Sequence, residues 1–166
     1  MDKRINLIIL LLIISVSAPV YAGTFSDKVG DFTFPAIGIA AAFPAMEGSD
    51  GLAEAARRCD GVLVALSVTG LLKESVHEWR PDRSDDKSFP SGHTAAAFAL
   101  AGTLSEEYPK DKWLYYGLAA LIGWSRVDSD KHHWHDVAAG AVIGYASGKW
   151  SAGSSDGILI GKVFRW

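Results

Sequence analysis

The 166 residues amount to one domain, and 49% hydrophobic with 21% charged residues fits a globular core better than a protein of many membrane spans. A formal net charge of −3 with no basic run excludes an electrostatic nucleic-acid binder. Cys59 is the single cysteine, which excludes an internal disulfide.

In chain order, Lys3 and Arg4 give a positive start, Leu7 to Ile14 an apolar run, and Val20-Tyr21-Ala22 small residues at the −3 and −1 places. This is the layout of a secretory signal peptide over 1–22, with cleavage after Ala22; a retained N-terminal anchor is the alternative. Either way, the remainder is exported to the periplasm or cell envelope. Five apolar stretches follow: Phe34–Met46, Gly61–Leu72, Thr94–Leu104, Trp113–Trp124 and Val137–Ser147. They are rich in Ala, Leu and Gly and rarely alternate, so they read as helices of about three to four turns. Gly48-Ser49-Asp50-Gly51, the charged run Arg80 to Lys87, Pro109-Lys110-Asp111 and Asp128–Lys131 separate them. The domain is expected over 23–150. A turn-rich linker from Ser151 to Gly157 and a strand-like tail from Ile158 to Trp166 complete the chain. Each apolar stretch falls short of the roughly 20 residues of a full span, which leans toward buried or partly inserted helices.

Three separated segments carry the chemistry: Lys73-x6-Arg80-Pro81, Pro90-Ser91-Gly92-His93, and Ser125-Arg126-x5-His132-x3-Asp136. Lys73, Arg80 and Arg126 offer three cations, with arginine able to grip two oxygens at once. Ser91 and Gly92 stand where a helix begins, and its free backbone N–H groups favour an anion there. Gly92 has no side chain to hold a phosphate away from the backbone. If the last helix starts near Lys131, His132 and Asp136 share a face, and the carboxylate fixes the imidazole tautomer. His133 and His135 then point elsewhere, as surface or supporting groups, and His77 is a supporting group at most. The histidines lack the i, i+4 pairing of a helical metal site, so no metal ligand is assigned.

Taken together, these eleven positions resemble the signature of the type 2 phosphatidic acid phosphatase (PAP2) superfamily, which also includes bacterial class A acid phosphatases and vanadium haloperoxidases. The resemblance runs from Lys73 to Asp136. It implies an all-α, PAP2-like compact bundle of about five core helices and a metal-independent acid phosphatase with no cofactor. It also implies roles: His132 attacks phosphorus, Asp136 orients it, His93 protonates the leaving oxygen, and Lys73, Arg80, Ser91, Gly92 and Arg126 bind phosphate. The partner is a phosphate-ester or pyrophosphate substrate, lipid or soluble, with membrane association expected from small members of the family. A vanadate-dependent haloperoxidase and a non-catalytic envelope oxyanion binder are the competing readings.

One further pattern lies beyond the signature. Asp136, Gly140, Gly144 and Gly148 recur at every fourth position, a small-residue row that lets another helix approach closely. The Ala-rich stretch Thr94–Leu104 is the expected neighbour.

Overall fold

Thr24 starts the first helix. Its hydroxyl accepts the Asp27 N–H, and its own N–H donates to the Asp27 carboxylate, a reciprocal cap. From there the computed structural model, which describes residues 24–47, 49–154 and 159, is helical nearly throughout. Five helices follow in order: α1 (Phe25–Ala42), α2 (Ser49–Ser75), α3 (Gly92–Glu107), α4 (Lys112–Asp128) and α5 (Trp134–Ala152). Short 3-10 turns, Phe43–Glu47 and Pro109–Asp111, close α1 and open α4. No strand occurs among the described residues, and the all-α expectation holds. The signal-peptide segment 1–22 and most of the C-terminal tail lie outside the described residues. Of the tail, Leu159 donates its N–H to Asp60 Oδ2 at 2.8 Å.

Three boundaries differ from the sequence reading. Ser49 to Gly51 begin α2 rather than forming a loop, because α2 carries a polar first half below its apolar stretch. That half holds Arg58, which is buried, donates to Glu107 of α3 at 2.9 Å and to the Ala40 carbonyl of α1 at 3.0 Å, and so ties three helices together. Next, α5 runs through Ala152, past the expected end of the domain at residue 150. Finally, α5 begins at Trp134, so His132 precedes the helix instead of sitting on its face.

The interior is built from small residues. Ala95, Ala96, Ala99 and Ala65 are fully buried, and Thr69, Thr94, Thr103 and Ser125 lie beside them. Some buried hydroxyls bond to carbonyls one turn back, as Thr103 does to Ala99 at 3.1 Å and Ser147 to Ile143 at 2.8 Å, and these need no polar partner across the core. The glycine row of α5 lies against α3, as its spacing predicts. A Cβ on Gly140 would stand 2.5 Å from the Ser91 carbonyl oxygen, on Gly144 2.2 Å from that of Ala95, and on Gly148 2.2 Å from that of Ala99. Backbone therefore meets backbone along the whole α3–α5 seam.

Ile37, Leu100, Leu104 and Tyr115 join the small residues of the core, while other large apolar side chains face outward: Leu71 is 73% exposed, Trp113 76% and Val142 69%. One segment among the described residues, Phe25–Met46, is long and apolar enough to cross a membrane.

The seam yields a paired test. Gly144→Ala forces a methyl into the Ala95 carbonyl and is expected to destabilise by about 1–3 kcal/mol or more. Gly117→Ala, whose Cβ would meet nothing within 4 Å, is expected to stabilise by about 0.5–1 kcal/mol. Thermal unfolding of the two purified variants against wild type reads both signs.

Candidate active site

The C-terminal ends of α2 and α4 and the N-terminal ends of α3 and α5 meet at one end of the bundle. The connection from α2 to α3 folds over them. It is held by Glu78 N–H to Asp86 O (2.9 Å), Ser88 N–H to Glu78 O (2.9 Å) and Arg80 N–H to Asp85 O (3.0 Å). Asp82 joins it to the α4–α5 connection, through its N–H to Asp130 O at 3.1 Å and its carboxylate to Lys131 at 2.6 Å.

This folding gathers the three sequence segments. Lys73, near the end of α2, donates to the carbonyls of Lys87 at 2.6 Å and Ser88 at 3.2 Å. Burial, then the neighbouring Arg80 charge, lowers its pKa to about 8. Arg80 donates to Asp85 at 2.8 Å and to the Lys131 carbonyl at 2.9 Å, which leaves its NH1 3.3 Å from His132 Nε2. Ser91 is the N-cap of α3. It accepts the Thr94 N–H at 3.4 Å and the Thr94 hydroxyl at 2.9 Å, while its own N–H donates to the Asp136 carbonyl at 3.0 Å. Gly92 opens the helix, and a Cβ there would meet Leu66 and Thr69 only at 3.9 Å. Protein packing therefore does not demand glycine at 92.

His132 sits where the α4–α5 connection turns back. Asp130 takes a left-handed conformation (φ 54°), and the Lys131 and His132 N–H groups both donate to the Arg126 carbonyl at 3.0 Å. The ring is buried, with Nδ1 3.5 Å from Asp136 Oδ2 and Nε2 toward Arg80. The pair meets even though His132 is outside α5, because Asp136 lies in the first turn and reaches back across the helix start. The same Oδ2 accepts the Ser88 hydroxyl at 2.5 Å and the His133 N–H at 2.8 Å. Burial works against the Asp136 charge, but these bonds and the adjacent histidines outweigh it and hold the carboxyl below its usual range. Burial, then Arg80 and Lys73, pushes the His132 imidazole toward its neutral form.

His93 packs against Phe34 of α1, with ring centroids 4.3 Å apart and the rings tilted by 42°. Burial, followed by Arg126, Arg80 and Lys73, lowers its pKa to about 4. Arg126 is buried nearby and turned toward α1, where it donates to the Ser26 carbonyl. Its guanidinium occupies the space that a side chain at Gly30 would need. Ser26 in turn donates its hydroxyl to Asp128.

All eight residues expected from the sequence thus lie at one end of the bundle. Ser88, Phe34, Ser26 and Gly30 escaped the sequence reading. Ser88 lies two residues before Pro90 in a segment otherwise recognised, and its hydroxyl was the one available signal. The other three sit on α1, far outside Lys73–Asp136. His77 faces away, paired with Asp86 at 3.0 Å on the surface. His133 and His135, expected as surface or supporting groups, are partly exposed and stack with centroids 5.2 Å apart.

The electrostatics predict proton uptake with an oxyanion. A dianion beside His93 offsets the surrounding cations and raises its pKa above about 4. Affinity for sulfate, a tetrahedral dianion that does not itself titrate here, is therefore expected to rise as pH falls from about 7 to about 5 and to level off below the unbound pKa. Calorimetric titration at several pH values checks this, and His93→Ala should flatten most of the dependence.

Residues 59–156 match the family model described as PAP2 superfamily. The chain is 38% identical over 98 residues to the lipid A 1-phosphatase of Porphyromonas gingivalis, a match covering 57% of this chain and 19% of that protein. It is 43% identical over 74 residues to lipid phosphate phosphatase 2 of Arabidopsis thaliana, covering 35% of this chain and 25% of the relative. The chain thus spans a quarter or less of the length of these two relatives. The crystal structure of Aquifex aeolicus LpxE shares the fold, with a TM-score of 0.57 and 22% identity over 91% of this chain and 95% of that one.

Proposed function

The chain belongs to the PAP2 superfamily, and from that premise we propose that it is a phosphatase that cleaves a phosphate ester of an amphiphile through a phosphohistidine on His132. The observation that carries the reading is the two-sided setting of His132: a carboxylate at Nδ1 and a guanidinium at Nε2. With its proton on Nδ1 facing Asp136, the imidazole keeps a lone pair on Nε2, aimed at the place where Lys73, Arg80 and the start of α3 converge.

In the first step Nε2 attacks phosphorus while the bond to the leaving oxygen breaks, and His93 delivers a proton to that oxygen. Lys73, Arg80 and the N–H groups at the start of α3 balance the charge on the three remaining oxygens. Arg126 joins them by giving up its bond to the Ser26 carbonyl. In the second step water loses a proton to His93 and attacks phosphorus, the N–P bond breaks, and inorganic phosphate departs. The cations supply the charge neutralisation that a divalent ion supplies in other phosphoryl-transfer sites, so the reaction proceeds without one.

The substrate class follows from the surroundings. A cavity of about 560 Å³, lined by Trp79, Arg80, Pro81, Arg83 and His133, opens beside Arg80. Trp79, largely exposed, lines it, and tryptophan favours the boundary between lipid and water. With large apolar side chains turned outward along the bundle, the arrangement suits a membrane-associated envelope protein that meets its substrate's headgroup at the lipid surface. The curated names of the two relatives, a lipid A 1-phosphatase and a lipid phosphate phosphatase, support the same class.

The roles of the two histidines separate by leaving group. His93→Ala should lose about 10²- to 10⁴-fold on an alkyl phosphate, whose leaving oxygen needs a proton, and far less in the first step on an activated aryl phosphate. His132→Ala should lose turnover on both, and EDTA should not lower the wild-type rate. Steady-state and burst kinetics on the two ester types, with the alkyl phosphate in mixed micelles, measure this. Equal losses on both esters for His93→Ala would remove its role as the acid.

A further inference from the structure

Beside the nucleophile lies a second cluster that the phosphatase chemistry does not use. The stacked rings of His133 and His135 face the Glu78 carboxylate, with Oε1 3.2 Å from His133 Nδ1 and 2.6 Å from His135 Nε2. Asp136 closes the group, with Oδ1 3.2 Å from His135 Nε2 and Oδ2 3.4 Å from His133 Nδ1. One donor atom from each of the four residues lies within 4.8 Å of every other.

Two of these donors are buried without a hydrogen bond: Asp136 Oδ1, on a fully buried side chain, and His133 Nδ1. A buried carboxylate oxygen without a donor is costly, and here it points into the cluster. The spacing is also distinctive. Four ligands at about 2.0–2.2 Å from a tetrahedral ion stand about 3.3–3.6 Å apart. Two separations among these donor atoms, 3.2 Å from Glu78 Oε1 to His133 Nδ1 and 3.2 Å from His135 Nε2 to Asp136 Oδ1, are close to that edge; the 2.6 Å contact is a hydrogen bond that an ion would replace. Two imidazoles with two carboxylates make a donor set for zinc-class ions rather than for magnesium or calcium.

From this geometry we infer that Glu78, His133, His135 and Asp136 Oδ1 form a binding site for a divalent transition-metal ion of the zinc class, coupled to the catalytic centre through the shared Asp136 carboxylate. The ion takes Oδ1 while Oδ2 faces His132 Nδ1 at 3.5 Å. Its charge withdraws electron density from the group that orients the nucleophile, so occupancy slows the enzyme. The site is regulatory, since the phosphate-binding cations lie on the other side of His132. Partial exposure of His133, His135 and Glu78 gives the ion a path from solvent.

The test uses full-length, tag-free protein stripped with EDTA and dialysed. Titration with Co²⁺ should give the visible bands of a four-coordinate site, saturating at one equivalent, and Zn²⁺ should displace it. His135→Ala and Glu78→Gln should each weaken Zn²⁺ binding by more than about tenfold, the least that loss of even an outer partner costs. Absence of a stoichiometric four-coordinate spectrum, or unchanged affinity in both variants, overturns the site. The coupling rests on the phosphatase reading and is measured separately. Zn²⁺ should inhibit wild-type hydrolysis at the concentration that fills the site, and His135→Ala should keep its basal rate and lose the inhibition. Equal inhibition in the variant overturns the coupling while leaving the binding result intact.

Discussion

The site depends on one hydrogen bond, from the Ser91 N–H to the Asp136 carbonyl at 3.0 Å. It joins the start of α3, where Ser91 and Gly92 lie, to the start of α5, which carries Asp136. It can form only because α3 and α5 touch backbone to backbone. A side chain at Gly140 would collide with the Ser91 carbonyl itself, so the glycine row is a condition of the catalytic geometry as well as of packing. From the same residue, the Asp136 carboxylate holds Ser88 of the α2–α3 connection and the His133 N–H, and faces His132. Three chain segments thereby converge on one buried acid.

Around that acid the protein gathers positive charge. Lys73 and Arg126 lean on backbone carbonyls, those of Lys87, Ser88 and Ser26, which steady a cation without cancelling it, while Arg80 is held both by the Lys131 carbonyl and by the Asp85 carboxylate. The consequence is visible in the titrating groups. Lys73 falls to about 8 and His93 to about 4, both first through burial and then through their cationic neighbours. Such a field favours an incoming anion.

Much of this was legible in the sequence because the catalytic segments are short and locally determined. Ser91 before a helix, a glycine beside it, and a histidine four residues before an acid each have a local physical meaning. Other features depend on tertiary contacts. His132 meets Asp136 from outside α5, since the Asp130 turn brings it back onto Arg126, and no helical periodicity encodes that. Arg126 bonds to Ser26, a hundred residues away. Local spacing gives His133 and His135 only a surface or supporting place; with α5 beginning at Trp134, they come together over Glu78. The stretches of small and large apolar residues predicted helices correctly, but composition could not tell that alanine would fill the core while Leu71, Trp113 and Val142 face out.

The central claim is that His132 Nε2 forms a covalent bond to phosphorus. Rapid-quench labelling with a ³²P-labelled aryl phosphate, followed by alkaline digestion and peptide mapping, tests it most directly. The account predicts an acid-labile, base-stable label on the peptide bearing His132, absent from His132→Ala and longer-lived in His93→Ala. Label on another residue, or label retained in His132→Ala, would contradict it.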